Sequence, residues 1–250
     1  MDLRLRFAEH GFVRLDQSFP PELATAMADA VWSELTRTHG LSRTDRSTWT
    51  VTEPRKLGSL RRKRTFDALA TPAIVAAISE LLGEESWKQP FSWGGPLVTF
   101  PSHGQWNVPA DGWHIDFPAR SALRLKWLAF LAPVAAGGGG TVVLSGSHHL
   151  VERYLHRIDP ADPGRSSVAR NAIFSADPWL RSIREPGAAD QRVATLMKHG
   201  GTTVDGVDLR VVELTGQPGD VVFLHPHLFH APAPNHSQTP RLMVTGGLTG

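Results

Sequence analysis

A histidine and an aspartate lie two residues apart in the sequence Trp-His-Ile-Asp at 113–116. We predict a strand here, and side chains two residues apart on a strand point to the same face. His114 and Asp116 could therefore bind one metal ion together. Two histidines and one carboxylate on one side of an ion, with the other positions open, are typical of a non-haem Fe(II) site. The third ligand must come from a distant part of the chain.

Three histidines that could complete such a site lie close together at 219–230, namely His225, His227 and His230. Side-chain alternation cannot choose among them, because Pro226 interrupts the strand. Further on, Arg241 stands in a strand-like apolar run. A guanidinium can hold a carboxylate through two parallel hydrogen bonds, and a buried arginine needs such a partner. The alternative is that Arg241 is an ordinary surface residue.

These residues belong to an ordered pattern that resembles the phytanoyl-CoA dioxygenase-like family of Fe(II)/2-oxoglutarate-dependent oxygenases. The family pattern runs from His-x-Asp through a glycine-rich turn and Gly-Ser-His to Gly-Asp, a distal His, Asn-x-Ser and Arg. Order and spacing match from the middle of the chain almost to its end. The matching positions are 114–116, 137–141 with 146–148, 219–220, His230, 235–237 and Arg241.

The resemblance implies that His114, Asp116 and His230 bind Fe(II), with 2-oxoglutarate and O2 as cosubstrates. It also implies that Arg241 binds the distal carboxylate of 2-oxoglutarate. Halogenating relatives carry a small residue in place of Asp116, so the carboxylate here indicates hydroxylation or a related oxidation.

The spacing to 235–237 and Arg241 favours His230 as the distal ligand. His225 and His227 would then lie beside the site or on the outer face.

Two further residues match cosubstrate contacts of the family. Thr99 precedes the His-x-Asp segment on a predicted strand, where the family places a polar contact to 2-oxoglutarate. Trp127 matches a tryptophan that lies against the cosubstrate. Either residue could instead belong to the core. Pro232 is a departure, because the family often has a serine there that donates a hydrogen bond to the 2-oxoglutarate carboxylate.

Aromatic and basic side chains near the predicted ligands are candidates for substrate contacts. Trp106 and Trp113 could line an apolar or ring-shaped pocket, although buried aromatic residues usually belong to the core. Arg120 and Arg124 could meet an acidic group. Family habit favours a small organic molecule, and we expect a role in secondary metabolism. Desaturation, ring closure or epimerisation would need the same ligands, so the reaction outcome stays open.

The whole sequence predicts a mainly β fold with flanking helices. Residues 20–40 and 71–83 have helical periodicity and capping residues. Short β-like segments separated by Gly and Pro follow, as in sandwiches and barrels. The resemblance implies a double-stranded β-helix, the jelly-roll fold of cupins. The β-like segments are 95–100, 113–117, 123–133, 141–144, 209–214, 220–224 and 241–245.

A chain of 250 residues suits one domain. We therefore expect residues 1–250 to form a single Fe(II)/2-oxoglutarate dioxygenase domain. Residues 150–208 are polar and rich in turns, and such a long segment is usually functional or mobile. We expect it to fold over the mouth of the site as a lid. The alternative is a surface insertion far from the chemistry.

Composition restricts the partners. The chain has no cysteine and a formal charge of +2, so disulfides and thiolate metal sites are excluded and the charge alone does not indicate nucleic acid. No apolar segment is long enough to span a bilayer, and the first residues lack a signal-peptide core. We expect a cytoplasmic protein that binds neither nucleic acid nor membrane. The basic cluster at 55–64 could dock a carrier protein or a CoA-linked substrate, or could simply be a solvated loop.

Two other classes of protein remain open. One is a cupin-like metal enzyme that does not use 2-oxoglutarate and binds zinc or another metal through His225, His227 and His230. The other is a non-catalytic jelly-roll binding module. The first leaves Arg241 and the His-x-Asp sequence without a function, and the second does not explain why all three ligands and the arginine are present.

Overall fold

The computed structural model describes residues 2–116, 118–198 and 201–249. Its centre is a pair of antiparallel sheets. The strands are β1 (Phe12–Leu15), β2 (Gly95–Thr99), β3 (Leu123–Phe130), β4 (Val142–Ser145), β5 (Thr202–Val204), β6 (Val207–Glu213), β7 (Val221–Leu224), β8 (His230–Ala231) and β9 (Arg241–Thr249). The large sheet has the order β1-β7-β3-β9-β2, and the small sheet has the order β5-β6-β4-β8.

Helices surround this β core. They are α1 (Leu3–His10), α2 (Pro21–His39), α3 (Gly58–Arg62), α4 (Pro72–Leu82), α5 (Ser147–Arg157), α6 (Ser166–Ala176), α7 (Pro178–Ile183) and α8 (Ala189–Val193). The predicted helix ends are confirmed for α4, because Thr71 accepts a hydrogen bond from the backbone N–H of Ile74 and Pro72 occupies the first turn. Within the described ranges, no helix has both the length and the apolar character needed to cross a membrane.

Side-chain alternation along β3 explains the layered arrangement. Leu128 and Phe130 pack into the cluster between the two sheets. Trp127 and Ala129 point the other way, into the cluster shared with α2 and α4. A third cluster lies between the small sheet and the helices α5 to α7. The order of layers is thus helices, large sheet, small sheet, helices, which is the predicted jelly-roll core with flanking helices.

The segment around the His-x-Asp sequence is not a strand, which corrects the prediction for 113–117. Within 113–116, only His114 pairs, in an isolated antiparallel bridge to His230. An extended ladder would next pair Gly112 with Pro232, and proline has no N–H to donate. The ladder therefore stops at one residue pair. Phe117 lies outside the described residues.

Residues 166–183, within the polar segment 150–208, form two short helices, α6 and α7. Asp177 separates them, and its side chain accepts hydrogen bonds from the backbone N–H groups of Trp179 and Leu180, so it begins the second helix. Helix α5, which no sequence pattern predicted, begins within the Gly-Ser-His sequence.

Candidate metal centre

His114, Asp116 and His230 converge at one end of the β core. Asp116 Oδ1 lies 3.7 Å from His114 Nε2 and 3.5 Å from His230 Nε2. One ligand atom from each residue lies within 4.8 Å of the others. Bonds of about 2 to 2.2 Å to a metal bring ligand atoms roughly 3 to 4 Å from one another. The donor set therefore fits one divalent ion.

Hydrogen bonds to the backbone orient both imidazoles in the same way. Nδ1 of His114 lies 2.6 Å from the carbonyl oxygen of Gly112, and Nδ1 of His230 lies 2.9 Å from that of Leu228. A carbonyl oxygen only accepts, so each Nδ1 carries the proton and donates it. Each Nε2 then keeps its lone pair and faces Asp116. This is the tautomer that a metal-binding histidine requires.

Lys126 on β3 also reaches this donor set, a contact that was not predicted from the sequence. Its Nζ lies 2.9 Å from Asp116 Oδ1, 2.7 Å from Asp116 Oδ2 and 3.0 Å from His230 Nε2. Burial alone would raise the pKa of Asp116, but His230 and Lys126 outweigh it and the pKa is lowered. Burial lowers the pKa of His230, and the charge of Lys126 adds to that effect. The carboxylate is thus ionised and the imidazole neutral, as metal ligands must be.

Arg241, the first residue of β9, is buried beside the triad with part of its guanidinium free. Nη2 donates to Thr99 Oγ1 at 2.6 Å, and Nη1 donates to the carbonyl oxygen of Gly139. Nε is buried and has no partner among the described residues. Burial lowers the pKa of Arg241 to about 10, which leaves the group charged at neutral pH. A buried cation with an unpaired N–H is suited to bind a carboxylate.

The glycine-rich turn fixes the carbonyl group that Arg241 contacts. At Gly140, a Cβ atom would lie 2.3 Å from the carbonyl oxygen of Leu214, so no other residue fits there. The carboxylate of Glu213 accepts hydrogen bonds from the N–H groups of Gly137 and Gly140 at 2.9 and 3.1 Å. Burial raises the pKa of Glu213.

Asn235 and Ser237 hold the loop that leads into β9. The Asn235 amide donates to the carbonyl oxygens of Thr99 and Thr239, and its oxygen accepts from the N–H and hydroxyl of Ser237. Asn235 is completely buried. The Asn-x-Ser sequence thus sets the position at which Arg241 enters the sheet.

A cavity of about 530 Å³ joins the triad to Arg241. This volume lies within the range typical of small-molecule sites. The large sheet supplies most of the wall, and the basic 55–64 cluster contributes Arg61. Polar side chains in the wall include Arg61, Ser92, Lys126, Thr141, Arg241 and Thr245.

The sequence model for phytanoyl-CoA dioxygenase matches residues 7–243, nearly the whole chain. The chain belongs to the phytanoyl-CoA dioxygenase family. No curated protein sequence gives a match.

Several solved structures share the fold of this chain. The epimerase SnoN, in complex with Fe3+, alpha-ketoglutarate and nogalamycin RO, has a TM-score of 0.56 at 20% identity, covering 99% of this chain and 82% of that one. The alpha-ketoglutarate-dependent carbocyclase SnoK from nogalamycin biosynthesis has a TM-score of 0.57 at 17% identity, with 99% and 82% covered. AviO1 from Streptomyces viridochromogenes Tue57 has a TM-score of 0.54 at 14% identity, with 98% and 92% covered. At these low sequence identities, the comparison shows a shared fold.

The two positions matched to cosubstrate contacts of the family lie behind the cavity wall. Thr99 is buried and accepts its hydrogen bond from Arg241, so it holds the guanidinium. Trp127 packs against Trp93 in the core, with ring centroids 5.4 Å apart, and lies over Gly246. This is the core position that the sequence allowed as the alternative for Trp127. Pro232, where the phytanoyl-CoA dioxygenase family often has serine, does line the cavity.

The four candidates for substrate contact are absent from the described residues that line the cavity. Trp113 is buried and packs against Phe174, and Trp106 packs against the same cluster. Arg120 donates to the carbonyl oxygens of Asp162 and Leu155, and Arg124 donates to that of Ser86.

His225 and His227 lie apart from His230 and form a second group with Glu152. Nε2 of His227 donates to the carbonyl oxygen of Ala119 at 2.7 Å, which leaves the lone pair on Nδ1. Nδ1 of His225, however, accepts the backbone N–H of His227 at 3.2 Å. The proton of a neutral His225 is therefore on Nε2, the nitrogen that faces Glu152. The group offers two free ligands and not three, and the zinc set of His225, His227 and His230 is not brought together.

The segment 150–208 packs on the outer side of the His-x-Asp turn. Arg170 of α6 donates to the carbonyl oxygen of Trp113 at 3.0 Å, and Ser166 accepts the N–H of Ile115 at 3.0 Å. Phe174 of α6 packs edge-on against Phe229 with ring centroids 5.1 Å apart. No described residue of the segment lines the cavity. Its contacts hold the backbone on both sides of the bridge between the two histidines.

Proposed function

We propose that this protein is an Fe(II)/2-oxoglutarate-dependent oxygenase that oxidises a C–H bond of a small organic molecule, with release of succinate and CO2. One observation carries the proposal: the His114, Asp116 and His230 donor set and the partly unpaired guanidinium of Arg241 line the same cavity. The first is a set of metal ligands and the second a receptor for a carboxylate. A cosubstrate that both chelates a metal and carries a distal carboxylate fits this pair.

The residues of the chain bind and orient the reactants. His114, Asp116 and His230 would hold Fe(II), with both imidazoles fixed by their Nδ1–H bonds to the backbone. Arg241 would hold the distal carboxylate of 2-oxoglutarate. When bound, Fe(II) with 2-oxoglutarate and O2 supplies the oxidising power that attacks an unactivated C–H bond.

The Thr99 contact makes Arg241 specific for a carboxylate in one position. Thr99 and Gly139 each accept one N–H of the guanidinium, which fixes its plane. The edge of the guanidinium that carries Nε remains available to bind a carboxylate. A fixed guanidinium loses little conformational freedom when it binds, so the interaction with a carboxylate is stronger than that of a mobile side chain.

For the substrate, we propose a secondary metabolite. SnoN and SnoK, which share the fold, belong to nogalamycin biosynthesis. Arg61, a residue of the basic 55–64 cluster, lines the cavity. An anionic group on the substrate, such as the phosphate of a CoA or carrier-linked thioester, could pair with Arg61 there.

The Arg61 proposal is testable with coenzyme A alone. We expect the Arg61→Ala protein to bind coenzyme A at least five-fold more weakly than wild type in isothermal titration calorimetry. Arg210 is an exposed arginine on β6 outside the cavity, and its Arg210→Ala variant is the charge-matched control. Equal affinity in the Arg61 and Arg210 variants would contradict the proposal.

We also propose that residues 150–208 fold over the mouth of the site as a lid. Since α6 is bonded to the backbone at Trp113 and Ile115, any closing movement of the segment is coupled to the metal turn. Limited proteolysis with and without Fe(II), 2-oxoglutarate and substrate measures this. Cleavage of the segment that is unchanged by all three together would contradict a lid.

The activity itself is tested by anaerobic titration with Fe(II) and 2-oxoglutarate, followed through the visible charge-transfer band of the chelate. We expect the band in wild type and its loss in His230→Ala and Arg241→Ala. His227→Ala and Arg210→Ala are the matched controls and should keep it. Iron binding without a band in wild type would overturn the use of 2-oxoglutarate. A band of equal strength in the Arg241 variant would overturn the role of that residue.

A further inference from the structure

Lys126 lies inside the donor set of the candidate metal centre. It sits in the middle of β3 with its side chain only 14% exposed, and its ammonium is within 3.0 Å of both Asp116 oxygens and of His230 Nε2. These contacts place a cation against two of the three ligands, Asp116 and His230. No other charged side chain in the described ranges makes such contacts with the triad.

The ammonium and a metal ion need the same electron pairs. Nδ1 of His230 carries a proton and donates it to Leu228, so Nε2 has a single lone pair. That pair can accept an N–H from Lys126 or bind a metal, but it cannot do both. An ammonium that contacts the same ligand atoms as a divalent ion is also strongly repelled by that ion. Metal binding therefore requires Lys126 to turn away from His230.

We propose that Lys126 is a built-in competitor of the metal at this site, and that the displaced ammonium then pairs with an anionic ligand in the cavity. The inference rests on the proposed function, because it concerns the same donor set. It makes Lys126 a positioning residue that couples the binding of the metal to the binding of an anion.

The strand opposite Lys126 leaves room for this movement. Lys126 is paired across the sheet with Gly247, which has no side chain, and Gly246 and Gly247 both line the cavity. A largely buried ammonium that leaves Asp116 needs another partner. The carboxylate of a bound anion supplies it. Metal and anion should therefore each strengthen the binding of the other through Lys126.

The first test is the affinity for Mn(II), measured by electron paramagnetic resonance of the free ion. We expect Lys126→Met to bind Mn(II) at least ten-fold more tightly than wild type. The apparent affinity falls in proportion to the fraction of molecules whose ligands are free of the ammonium, so a free fraction of about one in ten weakens Mn(II) binding ten-fold. Lys126→Gln is a second neutral variant with a polar end. Arg124→Met removes the same charge from the same strand, but Arg124 contacts Ser86 and not the triad. It should bind Mn(II) within about two-fold of wild type.

The second test repeats the titration with saturating 2-oxoglutarate. The anion should raise the Mn(II) affinity of wild type at least three-fold more than that of Lys126→Met. Equal Mn(II) affinity in wild type and both Lys126 variants, or weaker binding in the variants, would overturn the competition while leaving the metal site in place. An equal enhancement in wild type and variant would overturn the pairing with the anion. If none of the proteins binds Mn(II), the proposed function itself fails.

Discussion

His114 and His230, far apart in the sequence, lie directly opposite each other, and each donates its backbone N–H to the carbonyl oxygen of the other at 2.9 and 3.0 Å. Residues opposite each other in an antiparallel pair project their side chains to the same face. The bridge therefore brings both imidazoles together, and the nearby Asp116 completes the set. The position of the metal centre is determined by a single backbone pairing.

Replacement of either histidine by asparagine should separate metal binding from folding. An asparagine amide can take the place of Nδ1–H and donate to Gly112 or Leu228, but it has no group at the position of Nε2. We expect His114→Asn and His230→Asn to lose at least about 100-fold in Mn(II) affinity, with melting temperatures within a few degrees of wild type. His227→Asn is the control and should keep its metal affinity. An equal loss in His227→Asn would contradict the assignment.

Arg241→Lys should weaken 2-oxoglutarate binding although the charge is kept. Lysine cannot reproduce the fixed fork that donates to Thr99, Gly139 and a carboxylate together. A hydrogen bond to a charged group contributes about 1.5 to 3 kcal/mol, so the dissociation constant should rise about 10- to 150-fold. Thr99→Val removes one contact to the guanidinium and should cost only a few-fold. A titration of the charge-transfer band measures both, and a Thr99 effect as large as that of Arg241 would show that Thr99 contacts the ligand itself.

Trp127 should act on stability and not on the cosubstrate. Its indole packs against Trp93 and Gly246 in the core. We expect Trp127→Ala to cost about 3 to 5 kcal/mol of unfolding free energy, and Trp127→Phe less than half of that. The Phe variant should keep its 2-oxoglutarate affinity within about two-fold. Urea unfolding and the charge-transfer titration separate the two effects. A ten-fold loss of affinity at unchanged stability would instead place the indole against the cosubstrate, as in the family.

Much of this arrangement can be predicted from the sequence, because motifs and caps are local. Thr71 and Pro72 mark the start of a helix by themselves, and the apolar run in 241–245 marks a strand whichever partner it finds. The His-x-Asp sequence and Arg241 carry the donor types that chemistry requires. The spacing to Arg241 favours His230 as the distal ligand, but it does not give the choice of residue that lies opposite His114 in the backbone pairing. That choice depends on the backbone register of the bridge, which Pro226 and Pro232 interrupt on either side.

The position of Lys126 could have been predicted only in part. A lysine within the apolar run 123–130 is unusual, and its parity with Leu128 puts it on the face opposite Trp127. That parity was available from the sequence. The direction of a long flexible side chain was not, because it depends on where Asp116 and His230 meet in space. The same limit applies to Arg120 and Arg124, whose guanidinium groups turn to backbone carbonyls outside the cavity.

A cluster of buried and partly buried histidines next to the core should make the protein sensitive to mild acid. His148 and His225 lie with ring centroids 5.0 Å apart. Burial, with the neighbouring imidazoles, lowers the pKa of His148 to about 4 and that of His225 to about 2. In the unfolded chain, histidine has a pKa of about 6.5. Between these values the unfolded chain binds more protons than the folded protein does, so stability falls as the pH falls below about 6.5.

At pH 5.5, each of the two histidines should reduce the free energy of unfolding by about 1.4 kcal/mol relative to pH 8. Urea unfolding at several pH values between 8 and 5.5 measures the slope. We expect His148→Gln and His225→Gln each to remove about 1.4 kcal/mol of the loss at pH 5.5, since glutamine does not titrate. His156 on α5 is exposed, and His156→Gln is the control that should leave the slope unchanged. If the loss of stability with acid is the same in all four proteins, carboxylates and not this cluster are responsible for it.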